Sequence, residues 1–216
     1  MPSLKVIQLR QALAEKFPGM RMRLEAKPAR ESGPEPDLFQ NCLVKGALNE
    51  LSAGRESTGS ATMMRALIAH AAARNQIMAA VDGFDSLDVS ALEPAELARL
   101  LWIRCRDAET ALKAADLLLR DGNLPLIFLD LKLNPEAQLR KIPATTWYRF
   151  QRLVETTSAI CLAITPRPMI PAARARFVLK TSFALRDLER DAPELVDAAS
   201  WEADALGQRN ANLHSA

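Results

Sequence analysis

The sequence predicts an α/β domain with a mostly parallel central sheet and helices on both of its faces. Three observations predict it: short apolar runs alternate with longer amphipathic stretches, turn-forming residues mark the junctions, and 49% of the 216 residues are hydrophobic, enough for one sizeable core. No internal repeat or low-complexity tract interrupts the pattern.

The elements follow in order. Residues 3–16 place Val6, Leu9 and Leu13 on one face at helical spacing, with Ser3 as N-cap. Pro18, Pro28, Pro34 and Pro36 make 17–41 a loop, so 1–41 is predicted as an N-terminal helix and proline-rich linker ahead of a core at 42–190. Ala47–Leu51 is a predicted strand, and Ser52–Gly59 a polar turn. Ala61–Ala73 is a helix with Met64, Leu67, Ile68 and Ala71 inward. Ile77–Val81 is a buried strand, and Asp82–Pro94 a loop rich in Asp and Ser. After the strand Leu100–Arg104, Asp107 caps a helix over Ala108–Arg120 that ends at Asp121-Gly122-Asn123. Pro125–Leu129 is an apolar strand closing on Asp130. Asn134-Pro135 opens a short helix, and Pro143 separates it from a second over Ala144–Thr157. Ile160–Ile164 is a strand stopped by Pro166 and Pro168, Phe177–Leu185 reads as extended with a spacing that also fits a helix, and 191–216 is a tail.

Composition narrows the function classes. Cys42, Cys105 and Cys161 are scattered and odd in number, with no C-x-x-C pair, which favours a reducing compartment over a disulfide framework. Two histidines, His70 and His214, argue against a zinc site. Asp82, Asp85 and Asp88 recur every three residues but lack the glycine and terminal glutamate of a calcium loop, so they read as a solvated loop, and neither a metal nor another cofactor is expected. No run approaches the roughly 20 apolar residues of a membrane span, and the N-terminus has no signal-peptide core, so a cytoplasmic protein is expected. The net charge of +2 conceals an asymmetry: residues 132–180 carry nine basic side chains against Glu136 and Glu155, while 82–130 and 181–216 are net acidic. Such a segment suits nucleic acid or an acidic partner, or is a solvated surface.

One motif carries chemistry. The turn from Gly54 to Gly59, followed by Ser60 and Ala61, lies between a predicted strand and a predicted helix and has the glycine spacing of a P-loop, G-x-x-x-x-G-K-[ST]. Its backbone can form an amide nest at a helix N-terminus. Yet Ser60 stands where the phosphate-binding lysine belongs, and Ala61 where the magnesium-binding hydroxyl belongs. The expectation is an inherited tight turn rather than a working nucleotide site.

Beyond this turn, Ile77–Asp88 resembles the RecA segment in which a strand runs into D-A-E-x-x-L-D-P. The stretch Leu100–Leu119 and the strand Leu126–Asp130 continue the likeness to a Walker-B-like strand end, and Leu162–Pro168 resembles the next core strand and its exit. Over about residues 42–190 the chain resembles the ImuA group of RecA-like proteins, with SulA-type division inhibitors in the same broad relationship. The resemblance implies a RecA-like P-loop fold. It implies a scaffold in the SOS-type response and translesion mutagenesis, with a Y-family-polymerase-like mutasome protein or RecA as partner and single-stranded DNA as a further one. It places Phe84 at the water-activating glutamate and Asp130 at the Walker-B aspartate, and puts the nucleotide-sensing glutamine near Thr165-Pro166. No ATP hydrolysis is then expected, and Gly54, Gly59, Ser60 and Asp130 are a relic. The likeness also sets Arg140, Lys141, Arg167, Arg174 and Arg176 in the regions that face DNA. Trp147, Tyr148 and Phe150 interleave with Arg149 and Arg152 as stacking platforms would. The spacing of Trp147, Phe150 and Val154 instead favours the core face of a helix. A SulA-like inhibitor of a division protein, or a residual nucleotide-binding regulator, are the rival readings.

Overall fold

In the structure, a computed structural model that describes residues 42–54, 58–190, 194–195 and 198–203, the run Ala47–Ser52 forms β1, buried at every residue. A strand covered on both faces must find neighbours on both edges to satisfy its amides and carbonyls. β1 does so between two parallel partners, β5 (Ile160–Thr165) and β6 (Ala175–Leu179). The remaining elements are α1 (Ser60–Ala73), β2 (Met78–Asp82), α2 (Pro94–Leu97), β3 (Leu100–Arg104), α3 (Ala108–Asp121), β4 (Leu126–Asp130), α4 (Glu136–Leu139), α5 (Ala144–Glu155) and β7 (Trp201–Ala203). The seven strands lie in the order β3-β2-β4-β5-β1-β6-β7. All pairings are parallel except β6 with β7. The expected α/β architecture with a mostly parallel sheet is therefore observed.

Chain direction distributes the helices. The connections from β1 to β2 and from β2 to β3 run towards one edge of the sheet; those from β3 to β4 and β4 to β5 run back. Right-handed crossovers then put α1 and α2 on one face and α3 and α5 on the other. The contacts agree, with α1 against α2 and α3 against α5. The caps act where the sequence placed them. Asp107 Oδ1 accepts from the Thr110 amide at 2.7 Å, and Gly122 ends α3 at φ 69° with its amide on the Leu118 carbonyl. Trp147, Phe150 and Val154 are buried, so the aromatic run belongs to the core and leaves Tyr148 exposed.

Several boundaries differ from expectation. β7 falls inside the segment assigned to a tail and pairs antiparallel with β6, so the sheet continues beyond residue 190. Three residues at an edge are too short to carry a period. The extended run expected over Phe177–Leu185 divides into the end of β6, an irregular stretch, and a 3₁₀ turn at Leu185–Glu189. A one-turn helix, α2, starts at Pro94 behind a Glu93–Glu96 capping box inside what looked like a loop and its flank. The unit that holds the sheet begins at Val44. The predicted helix at 3–16 and the loop at 17–41 lie outside the described residues. Among the described residues no helix is long and apolar enough to cross a membrane.

The exits of β2 and β4 are interlocked. The Gly83 amide donates to the Asp130 carbonyl at 2.8 Å, and Asn134 Nδ2 donates to the Gly83 carbonyl at 2.8 Å. A Cβ at Gly83 would stand 2.5 Å from both the Asp130 carbonyl oxygen and Asn134 Oδ1. Substituting Gly83→Ala is expected to destabilise the domain by about 1–3 kcal/mol, as overpacking does. Urea unfolding is expected to show a lower midpoint with an unchanged slope.

Candidate functional site

In open parallel sheets, ligand sites form outside the carboxyl ends of the strands, where neighbouring connections leave in opposite directions. Here that edge gathers the exits of β1, β2, β4 and β5. The turn after β1 does join a strand to a helix: the Ala53 amide extends the ladder to the Thr165 carbonyl at 2.8 Å, and Ser60 is the first residue of α1. Arg55–Ser57, within the turn, lie outside the described residues. Gly59 sits at φ 82°, and a Cβ there would meet the Phe183 ring at 2.5 Å, so backbone and space both require glycine. As the N-cap residue it offers no side-chain acceptor, and the first turn of α1 carries no acidic side chain.

The four positions expected to be a relic of a nucleotide site lie at this edge. Gly54 and Gly59 bound the turn, Ser60 is buried at the head of α1, and Asp130 ends β4. A cation is present, but from another element. Lys132, two residues past the end of β4, donates from Nζ to Ser60 Oγ at 2.7 Å and to Thr58 Oγ1 at 3.5 Å. Asp130 Oδ1 accepts from the Lys132 amide at 2.9 Å, which fixes the path of that side chain. Burial pushes the Asp130 carboxyl up to about 6, with the negative charge of Asp82 adding to the effect and the Lys132 amide and ammonium opposing it. Burial lowers the Lys132 ammonium, against the attraction of Asp130. Beneath this cluster a cavity of roughly 470 Å³ is walled by Ser60, Ile68, Leu92, Asp130 and Lys132.

Phe84, which the resemblance sets at the glutamate position, is 45% exposed. Its neighbour Asp82 is only 2% exposed, so it is no solvated loop residue. It accepts from the amides of Phe84 and Leu87, from Ser86 Oγ and from Trp102 Nε1. Asp85 pairs with Arg104 and Asp88 holds Ser90. The aspartate series thus shapes a loop, and no metal-binding group of three acidic, His or Cys side chains exists among the described residues.

The arginine set is brought together only in part. Arg140 and Arg167 share Glu136, at 3.3 and 3.1 Å, and remain exposed beside Lys141, for which no ion pair is found among the described residues. Arg174, just before β6, pairs at 2.8 Å with Glu155, the last residue of α5. Arg176 is a different case. It lies within β6, its side chain is 15% exposed, and its Nε donates to the fully buried Glu50 at 2.7 Å while Nη2 donates to the Ile170 carbonyl. A guanidinium so placed holds the β5–β6 connection in shape, and it lies in a strand, paired within the chain, and not in the loop expected for it. At the carboxyl edge a groove of roughly 560 Å³ runs past Gly54, Thr58, Arg167 and Lys180.

Two participants escaped the sequence reading. Glu50 looked like one polar residue in an apolar strand, and Lys132 like one more charge in a basic segment. For Lys132 a signal existed: a lysine two residues after a strand-ending aspartate, at the edge where the turn also ends. Compared with protein-family models and with curated proteins, the chain matches none.

Two outcomes follow. Arg176→Ala leaves Glu50 buried without its cation and is expected to cost about 3–5 kcal/mol, read as a lower denaturant midpoint. Asp130 has a folded-state value near 6 against an ordinary 3.8, so its ionised form is penalised in the folded state. That penalty is full above pH 6 and vanishes below about pH 4, where the group is protonated folded and unfolded alike. Asp130→Asn is therefore expected to be more stable than the parent at pH 8 by up to about 2–3 kcal/mol, and equal to it near pH 4. Paired chemical denaturation curves across that range measure the difference.

Proposed function

We propose that the chain is a RecA-like accessory protein without ATPase activity, acting as a scaffold in damage-induced mutagenesis. The observation that carries the reading is the turn at the end of β1. It keeps the strand–turn–helix path and the left-handed Gly59 of a phosphate-binding loop, while Ser60 and Ala61 replace the residues that would hold phosphate and magnesium. Phe84 cannot activate water, and as an exposed aromatic on a rigid exit loop it is better suited to a protein surface. The partners in this reading are a Y-family-polymerase-like mutasome protein or RecA, with single-stranded DNA approaching Arg140, Lys141 and Arg167.

A specific observation favours a second reading. Arg140, Arg167, Arg174 and Arg176 all meet carboxylates of this same chain, which weakens the field available to phosphates. A SulA-like inhibitor that binds a division protein needs no such field.

The test combines turnover with binding. Purified protein is expected to show no ATP hydrolysis above background, with or without single-stranded DNA; turnover abolished by Asp130→Asn overturns the reading. Fluorescence anisotropy with labelled single-stranded DNA at several salt concentrations separates the two versions. If Arg140 and Lys141 each contact a phosphate, each alanine substitution flattens the log–log salt slope by about 0.7. Absence of binding at low salt, with retained affinity for a purified protein partner, supports the protein-only version.

A further inference from the structure

We propose that the Lys132 ammonium is a permanent internal occupant at the head of α1, tying Thr58 to Ser60 and fixing the first turn of the helix from within the chain. The proposal rests on reading the Gly54–Gly59 turn as a former phosphate cradle. The cation a phosphate loop carries on its helix has been moved to the opposite wall, and the hydroxyl left at Ser60 now accepts from it.

The geometry supports an occupant built into the chain. The backbone of Lys132 is held on both sides. The Leu131 amide reaches the Ile164 carbonyl at 2.9 Å, the Lys132 amide reaches Asp130 Oδ1, and the Asn134 amide returns to the Leu131 carbonyl at 3.2 Å. Asn134, only 1% exposed, is in turn anchored on Gly83. From this fixed base the side chain spans to an element 72 positions earlier and makes a bond of 2.7 Å. Its two acceptors, Ser60 Oγ and Thr58 Oγ1, lie on either side of Gly59, so one ammonium ties the end of the turn to the start of the helix. Among the described residues no carboxylate lies within ion-pair distance of Nζ; Asp130 acts on it through space, and burial disfavours its charge. A cation at a helix N-terminus also meets the positive end of the dipole. The two hydroxyls are what make the position tenable, since each oxygen accepts from the ammonium and still has a proton to donate elsewhere. A lysine at residue 60 would set two ammonium groups together.

The consequence is a surface in one state. In nucleotide-dependent proteins, loops beside the phosphate order and relax with the ligand. Here the tie is covalently part of the chain, so the rim formed by the exits of β1, β2 and β4 is presented without regard to nucleotide.

The experiment compares wild type with Lys132→Met, which keeps length and removes charge, and with Ser60→Ala, which removes one acceptor and leaves the cation. Hydrogen exchange is followed in the peptide spanning residues 58–64, with peptides from β1 and β5 as references. Sodium pyrophosphate is titrated against the thermal midpoint of the wild type. Lys132→Met is expected to speed exchange at 58–64 by about tenfold or more while the reference peptides stay protected, Ser60→Ala to speed it less, and pyrophosphate to leave the wild-type midpoint unchanged. Unchanged exchange at 58–64 in both variants overturns the proposal. So does a pyrophosphate-induced rise in the wild-type midpoint that Lys132→Met abolishes, because Lys132 is then a ligand to an added anion and not the occupant. If Lys132→Met does not fold, Ser60→Ala and the pyrophosphate titration decide. ATP turnover by the wild type would overturn the relic reading and this proposal together, whereas unchanged exchange in both variants overturns this proposal alone.

Discussion

A carboxylate with no exposed surface sits in the middle of the sheet, and four donors converge on it. Glu50, in β1, accepts from Thr165 Oγ1 at 3.0 Å, from the amides of Met169 and Ile170 at 2.7 and 3.1 Å, and from Arg176 Nε at 2.7 Å. Those donors belong to the end of β5, to the β5–β6 connection and to β6. Removing a carboxylate from water costs several kcal/mol unless charge and hydrogen bonds replace the lost solvation. The arrangement therefore specifies three neighbours at once: β5 and β6 must flank β1, and the loop between them must turn its amides inward. Asn49 reinforces the same junction, donating to the carbonyls of Val44, Ala47 and Cys161.

With the middle of the sheet set in this way, its carboxyl edge becomes a rigid frame. Asp82 organises the loop after β2, Gly83 and Asn134 lock that loop to the exit of β4, and Lys132 reaches from the same exit to the head of α1. Every one of these groups is polar, and each has a geometric reason to be where it is. Charge that could have faced a ligand is turned into contacts within the chain, and the same conversion is visible in the arginines, which meet Glu136, Glu155 and Glu50.

The parts legible in the sequence were the local ones. The Asp107 cap, the Gly122 stop, the spacing of Trp147, Phe150 and Val154, and the apolar strands all act within a few residues, where period and capping chemistry speak directly. The turn after β1 was legible for the same reason, as two glycines at a fixed spacing between a strand and a helix. What stayed hidden depends on pairs far apart in the chain. Arg176 looked like a surface cation because its carboxylate lies 126 positions earlier. Lys132 looked like one charge among nine because Ser60 is 72 positions away. β7 has only three residues and owes its existence to the open edge of β6. Asp82 was read as solvated because a loop of aspartates resembles a wet surface until the Trp102 indole and two amides are brought over it.

The place of β1 also governs the order in which the chain is completed during synthesis. It leaves the ribosome first among the described strands, yet its neighbours β5 and β6 are among the last of them. At about 5–20 residues per second, Glu50 waits on the order of ten seconds for Arg176 to be made. In that interval β2, β3 and β4 can pair with one another, since they are contiguous in both sequence and sheet, whereas β1 has no edge to join. Until β5 and β6 are made, β1 has neither of its partner strands and Glu50 lacks its cation.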